Sequence, residues 1–147
     1  NPGADLVFVG HSYGGSAVMD IMRHLQGEPY GKVVVATLDP VSCRERSHPQ
    51  ERAAGVLYWV NAYCAPYRSP MDAAARVGGP WRECPQADVN LCFSGKEKDT
   101  QGKRYRHSRP QSLFTDAHAL GGASAQDMLL AACKRLNIGS RTDNADE

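Results

Sequence analysis

Apolar residues follow two different periods along the chain, and the period changes from segment to segment. Residues 6–9, Leu-Val-Phe-Val, form a continuous apolar run, the pattern of a strand buried on both faces. Ala17, Val18, Ile21, Met22 and Leu25 then recur at helical spacing. Asp20, Arg23 and His24 occupy the opposite side, and Gly27 supplies a stop. Gly31 precedes a second buried-type strand over 32–38, which ends at Asp39-Pro40. Strand, helix and strand with short joints make a βαβ unit and predict a parallel sheet.

The same reading predicts a third strand over 56–60 and a fourth over 89–93. Ser69-Pro70-Met71-Asp72 has the cap, first-turn proline and acidic first turn of a short helix, closed by Gly78. Residues 94–110 are polar and basic and read as a loop. The last helix starts at Ser124, with Asp127 three residues on, and carries Met128, Leu129, Ala132, Cys133 and Leu136 on one face. From Gly139 onward only Ala145 is apolar, so the expected organisation is one α/β domain over 1–138 and a disordered tail over 139–147.

Composition narrows the functional classes. The 147 residues are 41% hydrophobic and 22% charged, enough for a packed core. A net charge of +1 gives no general attraction to nucleic acid, and Glu97 and Asp99 dilute the basic stretch from Lys96 to Arg109. No run approaches the roughly 18 apolar residues of a membrane span. The five cysteines, Cys43, Cys64, Cys84, Cys92 and Cys133, contain no C-x-x-C pair, so no metal site is expected. Cys92 and Cys133 fall in apolar stretches and read as core residues. Cys43, Cys64 and Cys84 read as loop residues, with free thiols preferred to a bridge. The location in the cell stays open, with the cytoplasm preferred.

Candidate chemistry begins at Gly10-His11-Ser12-Tyr13-Gly14, followed by Gly15. A Gly-x-Ser-x-Gly string alone is weak evidence. Here a buried-type strand ends at Val9 and an amphipathic helix follows at once, the context that lifts a serine Oγ above a sheet edge. Glycines at 10 and 14 remove side chains that would collide across so tight a turn, and Gly15 extends this towards a neighbouring strand. The bland alternative is a glycine-rich turn of a nucleotide-binding fold. Neither Gly-x-Gly-x-x-Gly nor Gly-x-x-x-x-Gly-Lys-Ser/Thr occurs in the chain.

The stretch Leu6 to Gly15 resembles the nucleophile elbow of α/β-hydrolases of the lipase, esterase and thioesterase kind. The resemblance implies a parallel-sheet hydrolase using serine, acid and histidine in that chain order, with no cofactor. Ser12 is then the nucleophile, and the backbone N–H of Tyr13 is one oxyanion donor. Leu38-Asp39-Pro40 is similar to the acid-bearing segment of pancreatic-type lipases, which makes Asp39 the acid. After the third strand stands Asn61-Ala62-Tyr63, without a carboxylate.

Five histidines compete for the base. His11 lies in the elbow and is expected to point away from the partner of Ser12, His24 lies on the polar side of the first helix, and His48 lies in a polar loop. His118 and His107 both follow the last strand, where the family places its base. His118, six residues before the cap of the final helix, is the preferred base. His107 is the alternative, set back by Lys103, Arg104, Arg106 and Arg109, whose charge opposes an imidazolium. In this family the elbow strand lies mid-sheet, so the chain reads as the C-terminal portion of the fold, lacking the second oxyanion donor. Such a piece is expected to aggregate or dimerise through residues 6–9. The function expected is hydrolysis of a carboxylic ester or thioester, of small-molecule or lipid type. The competing expectation is an inactive hydrolase-like module that binds a ligand or partner.

Overall fold

The computed structural model describes residues 2–42, 51–118 and 122–139. Four strands form one parallel sheet in the order of the sequence: β1 (Leu6–His11), β2 (Val33–Leu38), β3 (Val56–Cys64) and β4 (Val89–Phe93). Helix α1 (Tyr13–His24) joins β1 to β2. A single 3₁₀ turn, Pro70–Asp72, leads into α2 (Ala73–Val77), and α3 (Pro110–Thr115) and α4 (Ala125–Arg135) follow β4.

Side chains alternate across the strands, and each face packs its own core. Val33, Val35 and Trp59 lie with Val18, Met19 and Met22 of α1 and with Trp81. Val34, Ala36, Leu38, Val60, Leu91 and Phe93 lie on the other face with Leu113 of α3 and Leu129 and Ala132 of α4. The central strand β2 is buried at all six positions, as a helix-covered parallel strand must be. Helix α4 has the expected cap: the Ser124 hydroxyl accepts from the Asp127 N–H, and the Asp127 carboxylate accepts from the Ser124 N–H.

Four expectations need correction. β1 is not buried on both faces: Val7 and Val9 are each 48% exposed, because β1 ends the sheet and α4 packs over β2 and β3 instead. The loop expected over 94–110 gives way at Pro110 to α3, a short helix with proline in its first turn. Cys92 is exposed, because β4 is the other sheet edge and turns Leu91 and Phe93 to the core, whereas Cys133 on α4 is half-buried and packs against that core as expected. Cys64, expected in a loop, ends β3, while Cys84 lies in a loop as expected, and both are buried. Burial pushes both thiols up to about 12, helped at Cys64 by the nearby Asp39 charge. All four described cysteines are free thiols, while Cys43, His48 and the tail over 140–147 lie outside the described residues.

An apolar, unpaired strand edge favours pairing with another chain. The purified chain is therefore expected to self-associate through β1, and its sedimentation coefficient should rise with concentration. Val7→Lys with Val9→Lys should return it to a monomer. A wild-type chain that remains monodisperse at every concentration overturns this expectation.

Candidate active site

Because the strands are parallel, their C-terminal ends share one edge of the sheet, and loops from distant parts of the sequence meet there. Ser12 follows β1, Asp39 follows β2, Tyr67 follows β3 and His107 follows β4. The turn at Ser12 is tight. Ser12 has φ 57° and ψ −127°, outside the usual range of a residue with a side chain, and caps the N-terminus of α1. Its N–H donates to the Leu38 carbonyl at 3.0 Å, and its carbonyl accepts from Gly15 (3.0 Å) and Val41 (3.1 Å).

The glycines divide the steric work unevenly. A Cβ on Gly10 would overlap the Gly14 carbonyl, and one on Gly15 would press against the Pro40 ring. Gly14 has open space where its Cβ would stand, so the expected collision belongs to Gly10 and Gly15 alone.

Asp39 is fully buried, with φ 44°. Its Oδ1 accepts from the Cys64 N–H at 3.0 Å and the Tyr67 hydroxyl at 2.9 Å. Burial, and then the Asp39 charge, push the Tyr67 phenol well above its ordinary value, which keeps it a donor. Two donors on Oδ1 leave Oδ2 facing His107 Nδ1 at 2.8 Å, and His107 Nε2 lies 2.9 Å from Ser12 Oγ. A carboxylate only accepts, so Nδ1 carries the proton and Nε2 offers its lone pair to the serine hydroxyl. Serine, imidazole and carboxylate thus form a continuous relay.

His107, and not His118, stands against Ser12. His118 Nε2 donates instead to the Cys92 carbonyl at 2.9 Å, and its ring meets Phe93 edge-on at 5.2 Å. Its N–H and carbonyl tie the turn before α4 to Ala123 and Gly122. Helix α3 causes the difference, since it intervenes after His107 and carries the following chain away from the elbow.

Part of the charge set against His107 is neutralised in the fold. Arg109 pairs with Asp99 at 2.6 Å. Asp99 also accepts from the Gln101 and Lys103 N–H groups and the Ser112 hydroxyl. Burial works against ionising Asp99, but these donors outweigh it and hold its carboxyl down at about 2. The basic loop is therefore a folded support.

His11 touches His107, the partner of Ser12, rather than avoiding it. Its Nε2 donates to the His107 carbonyl at 2.8 Å, and the two rings are 4.8 Å apart. Burial, in part, and the neighbouring His107 lower the His11 pKa, which favours the neutral ring that makes this bond. The His107 N–H donates to buried Asp72 at 3.1 Å. Both backbone groups of His107 are thus held.

Trp59 and Trp81 are core residues packed edge to face at 6.3 Å. Among the described residues no helix is long and apolar enough to cross a membrane, and no cluster of three or more His, Cys, Asp or Glu residues is arranged to hold a metal ion. No protein-family model, curated protein or solved structure matches the chain.

Proposed function

We propose that this chain carries the catalytic machinery of an α/β-hydrolase that cleaves a carboxylic ester or thioester. The observation that carries the reading is the relay itself: Ser12 Oγ to His107 Nε2 at 2.9 Å and His107 Nδ1 to Asp39 at 2.8 Å. A serine hydroxyl is a poor nucleophile until a neighbouring imidazole takes its proton, and the imidazolium then needs a fixed counter-charge.

In this reading Ser12 Oγ attacks the carbonyl carbon while its proton passes to His107 Nε2. The carbonyl π pair moves onto oxygen, and the oxyanion faces the N–H of Tyr13, the first residue of α1. The unpaired N–H groups and positive dipole end of that helix favour the charge. Collapse of the tetrahedral species returns the pair to the carbonyl and expels the alcohol or thiol, which takes the proton from His107. Water repeats the sequence on the acyl-serine, with His107 again the base. Asp39 keeps its charge throughout and orients the ring.

A fluorophosphonate probe tests this without knowledge of the natural substrate. Intact-mass and peptide analysis should find one adduct, on Ser12, absent from Ser12→Ala and strongly slowed in His107→Ala. A folded wild-type chain that gains no adduct would leave an inactive, hydrolase-like binding module as the better reading.

A further inference from the structure

Beside the His107 loop lies a hollow of about 210 Å³ that the relay does not use. Arg68 comes to it from the segment after β3, and Arg104 and Arg106 come from the loop after β4; Ser69, Asp72 and Gly95 complete the part that matters. Gly95 is needed there, because a Cβ would run into the Pro66 carbonyl and close the wall inward.

The three guanidinium groups around this hollow are unmatched. Arg23, Arg52 and Arg109 each pair with a carboxylate, whereas no ion pair or side-chain hydrogen bond holds Arg68, Arg104 or Arg106 among the described residues. The Nε of Arg106 is moreover shut off from solvent with no hydrogen-bond partner. Three guanidinium groups against the one carboxylate of Asp72 leave a surplus of two positive charges.

The geometry points to a binding site for a phosphate dianion, as inorganic phosphate or as a phosphate monoester. A phosphate monoester carries about −1.5 to −2 charges near pH 7 and offers three acceptor oxygens, which suits this surplus of guanidinium charge. The hollow exceeds several times the roughly 30 Å³ that one water occupies in the liquid, so the group has room. Asp72 links this site to the relay, because the carboxylate that lines the hollow also accepts the His107 N–H. Arg106 is the residue next to His107 in sequence.

Calorimetric titration of the full chain with inorganic phosphate, at ionic strength held constant with sodium chloride, tests the site. Saturable binding of one phosphate per chain is expected, with sulfate competing. Arg68→Gln and Arg106→Gln should each weaken it roughly tenfold, as loss of a charge-assisted bond does. Arg135→Gln, which alters an arginine stacked on Tyr58 instead, should bind as wild type. Exposed Arg68 serves if Arg106→Gln does not fold. Tighter binding of glycerol phosphate than of inorganic phosphate identifies a monoester as the ligand, and the reverse order identifies free phosphate. Absence of saturable binding, or wild-type affinity in both arginine variants, overturns the site. Ser12→Ala should keep phosphate binding intact, so the result stands apart from the hydrolase reading.

Discussion

Ser12→Ala and His107→Ala should each reduce p-nitrophenyl ester turnover by up to about 10⁶-fold, the scale on which a nucleophile and its base act as one unit. The double variant should lose little more than either single one, because each alone already breaks the proton path. Ser12→Ala removes no core side chain and should unfold near wild type, whereas His107→Ala leaves Oδ2 of buried Asp39 without its partner and should cost about 1–3 kcal/mol. His118→Ala supplies the contrast. It forfeits the edge contact with Phe93 and the bond to the Cys92 carbonyl, a loss of about 1–3 kcal/mol of stability. Its folded fraction should keep kcat within a factor of about ten of wild type. Steady-state kinetics beside circular dichroism measures both quantities. Ser12→Ala with activity inside that factor of about ten sinks the nucleophile assignment. Loss of activity in His118→Ala, with His107→Ala still active, sinks the choice of base.

Asp39→Asn should cost about 10⁴-fold in kcat with little change in shape. The reason lies in what surrounds the carboxylate. The Cys64 N–H and the Tyr67 hydroxyl both donate to Oδ1, so the asparagine oxygen must occupy that place. Its NH₂ group then faces His107 Nδ1 as a donor. The ring answers by accepting at Nδ1 and moving its proton to Nε2, where it can no longer take the proton of Ser12. The defect is one of tautomer and should appear in acylation, measured by the rate of fluorophosphonate labelling as well as by turnover. Near-wild-type labelling in a folded Asp39→Asn chain would show that the buried carboxylate serves structure alone.

The parts of this arrangement that sequence reveals are those with local causes. The βαβ unit, the elbow and the capping box at Ser124 follow from period, glycine placement and residues three apart. Asp39 was legible because the strand before it is plainly apolar and ends at Asp39-Pro40. Two physical causes hide from the sequence that His107, and not His118, stands against Ser12. Helix α3 is only six residues long, too short for an amphipathic period to stand out from the polar loop before it. The positive neighbours of His107 looked repulsive in a linear reading, yet Arg109 is taken up by Asp99, ten residues away. Tyr67, Asp72 and His11 have no local signature at all. Their roles come from partners 28, 35 and 96 residues distant, brought together only by the shared sheet edge.

Ser12 sits where glycine would sit more comfortably. A side-chain-bearing residue in so sparsely populated a backbone region costs about 1–3 kcal/mol, which the surrounding fold must absorb. On the proposed function, catalysis and folding therefore prefer different residues at one position. A laboratory selection that rewarded heat resistance alone would be drawn towards glycine at position 12, relaxing the turn and discarding the hydroxyl in the same step. The most durable variants of this chain, found that way, would be silent ones.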